Sequence, residues 1–170
     1  MIGNTITIDN TKFIYATNFA GNPDNDRYGD TRRKMNIIVP EDLAKELIKI
    51  GVNVRQTKPR PGEEEDFVPT FFTQVLLKYR DKAGMQMKYL PRVYLVNDRD
   101  EEILRTEDDV AELDSIRVKN VKCVLNVRDY GSGKNLYIRV MYVEQDLDDD
   151  PFAAVYRRRR EEAEFGLRHD

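Results

Sequence analysis

The sequence has one cysteine, one histidine and no tryptophan. A single thiol, Cys123, cannot form an internal disulfide and suits a reducing compartment. His169, one residue from the end, has no second histidine with which to build a zinc site and no place in a Ser-His or Cys-His pair. No run approaches the ~18 apolar residues of a membrane span. The opening MIGNTITIDN has neither the basic start nor the apolar stretch of a secretory signal. What remains is 170 residues, 35% charged and 40% hydrophobic. That is enough for one domain with a true core and an extension. The net charge of -3 is unevenly spread. Residues 144–170 hold five Arg and nine Asp or Glu, whereas residues 1–143 hold 23 Lys or Arg against 22 Asp or Glu. A nearly neutral body does not grip duplex DNA by bulk charge, so nucleic-acid binding would require its cations gathered on one face.

No internal repeat is present. TITIDNTKFIYAT, from Thr5, is rich in β-branched and aromatic residues and reads as one strand. GNPDNDRYGD, from Gly21, is a loop. RRKMNIIV, from Arg32, is a second strand entered through three cations. PEDLAKELIKIG is the clearest helix. Pro40 suits the first turn, Glu41 and Asp42 suit the positive end of the dipole, and Gly51 suits the C-terminal cap. VNVRQTK is a short strand, PRPGEEED a loop, FFTQVLLKYR and RVYLV two further strands, and EDDVAELDSI a short helix. IRVKNVKCVLNVRDY and NLYIRVMYVEQ are long strands joined by a GSGK turn. In the first of these, Val121, Cys123, Leu125 and Val127 share one face, and Lys122, Asn126 and Arg128 the other. Regular βαβ alternation is missing. The reading is mainly β: an antiparallel barrel or sandwich with one or two short helices.

Three motifs are set aside. GSGK lacks the spacing and the following helix of a phosphate loop. DNDRYGD puts Tyr28 and Met35 where a calcium loop needs oxygen ligands. The contiguous run Asp146, Asp148, Asp149, Asp150 is the pattern of a solvated segment, since two-metal sites gather carboxylates from separate elements. The informative pattern is cations interleaved with aromatics on strand-like segments: Arg27 and Tyr28; Arg32, Arg33 and Lys34; Arg55, Lys58 and Arg60; Lys78, Tyr79 and Arg80; Lys88 and Tyr89; Arg128, Tyr130, Lys134 and Tyr137. Rings can stack on unpaired bases while Lys and Arg neutralise phosphates, with stacking worth about 1–3 kcal/mol per base whatever the sequence.

In this order, YATNFAG, RKMNIIVPEDLAKELIKIG, VNVRQTKPRPGEEED, PRVYLV, ELDSIRVKNVKCVLNVRDY and GSGKNLYIRVMYVEQD resemble a family of single-stranded DNA-binding proteins of tailed bacteriophages. The resemblance covers about residues 12–156. It implies an OB-fold and a non-enzymatic protein, with no cofactor, that coats exposed single strands during phage DNA replication or recombination in the host cytoplasm. It favours Arg32, Arg33, Lys34, Lys58, Arg60, Arg128, Tyr130 and Lys134 as contacts. KYRDKAGMQMKYLP is longer than the usual link at that point.

The expected organisation is a DNA-binding domain, residues 1–143, and a charged extension, residues 144–170. DDDPF resembles the acidic-aromatic tips through which bacterial single-strand binding proteins dock partners. Asp148, Asp149, Asp150 and Phe152 are therefore expected to bind replication or recombination proteins. Alternatively, Asp150 caps a helix from Pro151, with Arg157–Glu161 and Arg158–Glu162 as i,i+4 pairs, and its arginines touch DNA or bridge subunits of a homo-oligomer. Two other functions fit the composition: a metal-dependent nuclease using the acidic clusters, and a structural or host-interaction protein with an OB-like barrel.

Overall fold

The computed structural model describes residues 4–25 and 28–146. Nine strands, β1 (Thr5–Thr11), β2 (Phe13–Asn18), β3 (Arg33–Val39), β4 (Val54–Gln56), β5 (Phe71–Leu77), β6 (Arg92–Val96), β7 (Glu102–Arg105), β8 (Val118–Asp129) and β9 (Lys134–Gln145), join in one sheet. The main path runs β1-β8-β9-β5-β3-β2. Its two ends, β1 and β2, are consecutive in the chain and separated only by Lys12. One bent segment thus serves both edges of the sheet, and five structural strands follow the Greek-key order of an OB-type barrel.

The segment Thr5–Thr17, expected as one strand, is divided by this bend. No Gly or Pro marks it; long-range hydrogen bonds do. The Thr11 hydroxyl donates to the Ile38 carbonyl, and the Ile38 N–H donates to the Lys12 carbonyl. β1 is meanwhile paired with β8.

The expected antiparallel barrel is corrected in one respect: β9 runs parallel to β5 at Leu136 and Tyr137, and parallel to β6 from Val140 to Glu144. The chain leaves β5, makes the β6–β7 hairpin and β8, and returns through β9 in the direction of β5. β7 itself was not expected, being short and charged at both ends. The helix expected in EDDVAELDSI is a 3₁₀ turn, Val110–Ser115. Its buried Val110 and Leu113, three residues apart, fit a period of three.

The helix α1 (Glu41–Lys49) forms as read, burying Ala44 and Leu47. Its end is a Schellman motif: the Gly51 N–H donates to the Ile48 carbonyl and the Val52 N–H to the Leu47 carbonyl. Gly51 takes φ +98°, which glycine adopts without a Cβ penalty. β8 keeps its alternation, with Val121, Cys123 and Leu125 buried in a single core beside Phe19, Met35, Ile37 and Leu136. Burial pushes the Cys123 thiol up to about 12, so it stays protonated and acts as a small apolar side chain. No helix among the described residues is long and apolar enough to cross a membrane.

Candidate nucleic-acid interface

In an OB barrel the face of the second and third structural strands, with the loops after the first and the fourth, binds oligonucleotides. Here these are β3 and β5, the β2–β3 loop and the β8–β9 hairpin. A groove of about 800 Å³ lies among them. Its aromatic lining is Tyr15, Tyr28, Phe72 and Tyr130, and its cations are Arg32, Lys34, Arg55 and Lys134. Among the described residues no carboxylate lines it.

Tyr15 has the most distinctive placement. Between the pairs Ile14–Asn36 and Asn18–Lys34, β2 carries three residues where β3 carries one, so β2 bulges. Tyr15 lies in that bulge with φ +65° and is 64% exposed. A tyrosine with positive φ is strained, and such strain concentrates at binding sites. Its ring stands edge-on to Phe72, with centroids 5.3 Å apart. Tyr28 and Tyr130 are also exposed, at 84% and 53%. Three rings thus face solvent in one groove, where apolar area would ordinarily be covered.

The cations are held in different ways. Asp30 accepts from the backbone N–H and Nε of Arg32 at 2.8 and 2.9 Å, and from Lys34 Nζ at 3.2 Å. The hydrogen bonds from Arg32, first from its side chain and then from its backbone, hold the Asp30 carboxyl well below the usual carboxylate range. Asp30 therefore remains an anion that orients both cations. Lys134 lies 3.9 Å from an Asp129 oxygen. Arg55 projects from β4 and is exposed.

Two supports shape the groove walls. Asp114, on the 3₁₀ turn, accepts from Thr17 Oγ1 (2.7 Å), the Phe19 N–H (2.8 Å) and the Ala20 N–H (3.0 Å), which anchors the base of the β2–β3 loop. On the other wall the Lys134 N–H donates to the Gly51 carbonyl, tying the hairpin to the end of α1. A Cβ on Gly133 would fall 2.7 Å from the Tyr130 hydroxyl and 3.1 Å from the Gly51 carbonyl oxygen. Gly133→Ala is therefore expected to displace the Tyr130 ring and weaken single-strand binding. Adding Tyr130→Ala should then cost nothing more, a non-additivity that a double-mutant cycle reads directly.

Of the residues singled out in the sequence, the groove brings together Tyr28, Arg32, Lys34, Arg55, Tyr130 and Lys134. Lys58 lies just beyond its β4 wall, in a shallower concavity that shares Arg55 and Phe72 with the groove. Arg60 is exposed on the β4–β5 loop.

Tyr79 is a correction. It is 5% exposed and belongs to the core, where burial pushes its phenol up to about 12. No base can reach it. Arg33 is a second correction: it turns away from Arg32 and Lys34, donates to the Phe19 carbonyl at 2.6 Å and lies over the Tyr79 ring. Arg80 is a third. It donates to Glu107 at 2.7 Å and to the Gly84 carbonyl, bracing a loop away from the groove. Lys78, Arg128 and Tyr137 line a different concavity. Asp148, Asp149, Asp150 and Phe152 lie outside the described residues. Tyr15 and Phe72 were missed because a strand with that composition reads as core. Among the described residues no cluster of three or more His, Cys, Asp or Glu is placed to hold a metal ion.

No curated protein matches the sequence. Among solved structures, the chain is similar to gp2.5, a single-stranded DNA binding protein encoded by bacteriophage T7. The identity is 15%, covering 88% of this chain and 98% of that one, with a TM-score of 0.45. It is also similar to the single-stranded DNA-binding protein from bacteriophage Enc34 in a C-terminal truncation, at 12% identity over 84% and 86% of the two chains, TM-score 0.48. The same Enc34 protein in complex with ssDNA is 15% identical over 88% and 89%, TM-score 0.41. The family profile of a phage ssDNA-binding domain matches residues 2–157. That match spans nearly the whole sequence, and the chain belongs to the phage ssDNA-binding domain family.

Proposed function

We propose that this protein binds single-stranded DNA in the groove between the β2–β3 loop and the β8–β9 hairpin, with little regard to sequence, and coats exposed single strands during phage DNA replication or recombination. The observation that carries the reading is the convergence of exposed Tyr15, Tyr28 and Tyr130 with Arg32, Lys34, Arg55 and Lys134 in one groove, with no carboxylate among its described lining residues. Rings supply faces for unpaired bases and cations neutralise the phosphates beside them. A duplex hides those base faces, so it loses the stacking term. The protein does no chemistry on the strand and works in the host cytoplasm. The binding domain extends to the end of β9 at Gln145, two residues beyond the boundary expected from the sequence, and the residues after it form an extension that recruits replication or recombination proteins.

The test is a titration of labelled single-stranded and duplex DNA at several salt concentrations. Single strands should bind much more tightly, with log K falling linearly against log salt. Replacing Arg32, Lys34, Arg55 and Lys134 together by Ala should flatten that slope by about 2.8, at about 0.7 per lost phosphate contact. Arg32 and Arg55 are exposed and contribute little to stability; half-buried Lys34 and Lys134 contribute somewhat more through Asp30 and Asp129, so the fold should survive with a modestly lower melting temperature. Equal affinity for duplex, or an unchanged slope, would sink the reading. Cleavage of the strand on adding magnesium would overturn its non-enzymatic part.

A further inference from the structure

Lys78, Arg128 and Tyr137 share a concavity of about 560 Å³ outside the groove. It opens where β9 exchanges its neighbour β5 for β6, and the β5–β6 connection, residues 78–91, crosses that fork. Among the described residues five cations line it, Lys78, Lys88, Arg92, Arg128 and Arg139, and no carboxylate does. Like charges at that density repel one another and attract a polyanion.

Two further observations point the same way. Val124 pairs with Val140 and Leu125 with Ile138, which leaves Arg139 as the extra residue of a β-bulge. The bulge turns Arg139 outward between buried Ile138 and Met141, the re-aiming of a side chain that bulges provide beside functional sites. The rings are also present. Tyr89 is 79% exposed with Lys88 Nζ 5.4 Å from its centroid, and the Arg128 guanidinium lies 5.6 Å from the half-buried Tyr137 ring.

The two surfaces adjoin. One register row crosses the sheet from Lys34 through Leu76 and Tyr137 to Asn126. Lys34 lines the groove, whereas Tyr137 and Asn126 line the second concavity. Three strand spacings of about 4.8 Å make that crossing about 14 Å, within reach of a few nucleotides.

We infer that this concavity is a second contact surface for single-stranded DNA. A strand leaving the groove crosses β9 and lays its phosphates on Lys88, Arg92, Arg128 and Arg139, with a base on Tyr89. Short oligonucleotides fill the groove alone, and longer ones engage both surfaces. The inference rests on the groove binding single strands.

The test compares oligothymidylates of about 5 and about 14 nucleotides, both within the range of OB-fold site sizes. The variant carries Lys88→Ala, Arg92→Ala, Arg128→Ala and Arg139→Ala, all at exposed positions. It should bind the short strand as the wild type does. It should bind the long one on the order of tenfold more weakly at low salt, with a slope shallower by about 2.8. A variant indistinguishable from wild type on the long strand, or equally impaired on both lengths, overturns the second surface while the groove reading stands. A folded wild type that binds neither length overturns both. Tyr89→Trp supplies a second readout, because the chain has no tryptophan. Its emission should change with the long strand and not the short, and no change with either counts against the proposal.

Discussion

Tyr15→Gly is expected to leave the melting temperature close to that of the wild type while weakening single-strand binding roughly 5- to 150-fold, the equivalent of one stacked base at about 1–3 kcal/mol. Two effects oppose each other in the folded state. The left-handed backbone at Tyr15 costs a residue with a Cβ about 1–2 kcal/mol, which glycine avoids. Against this, glycine forfeits the edge-on contact with Phe72, worth about 0.5–1.5 kcal/mol. The net change in stability is therefore small, although the ring is gone. Tyr15→Ala separates the terms. It loses the same ring and keeps the strain, so its affinity should equal that of the glycine variant and its melting temperature should be lower. Thermal denaturation and a DNA titration on the three proteins check this. Glycine binding as tightly as tyrosine would mean that the bulge positions something other than a stacking platform.

Much of the barrel is legible because its determinants are local. α1 carries its start, its dipole charges and its terminal glycine within twelve residues, and β8 alternates cleanly enough to fix which face is buried. The bend at Lys12 and the parallel pairings of β9 depend instead on contacts with residues far away in the chain. Nothing near Lys12 announces that Ile38 will bind its carbonyl. The site divides in the same way. Cationic and aromatic residue types are visible in the sequence, and six of the residues named from them converge in the groove. The period of two along a strand also explains two of the corrections. Arg32 and Lys34 share a face that Arg33 cannot, and Tyr79 is in phase with buried Val75 and Leu77. Tyr15 escapes any such rule, because the bulge that exposes it breaks the alternation by which a strand is read.

Asp114→Ala should produce the largest loss of stability of any single change at the groove, although Asp114 lies outside its lining. Its carboxylate accepts one hydroxyl and two backbone N–H groups from Thr17, Phe19 and Ala20. Hydrogen bonds to a charged acceptor contribute about 1.5–3 kcal/mol each, and removing the acceptor leaves two backbone donors to find water. Asp114 is only half-buried, so solvent recovers part of the loss. A net cost of about 2–4 kcal/mol follows, or a melting temperature lower by roughly 5–15 °C for a chain of this size. Binding should weaken as well, because the same bonds fix the stem of the loop that carries Tyr28 and Arg32 and leads into Lys34 on β3. Asp114→Asn, which keeps an oxygen acceptor, should fall between the two proteins in both measurements. The salt slope decides whether the loop is merely loosened: with its cations still present, the slope of Asp114→Ala should match the wild type even as affinity drops. A shallower slope would mean that losing Asp114 removes Arg32 and Lys34 from the DNA altogether, and a melting temperature unchanged by Asp114→Ala would show that the loop is held from elsewhere.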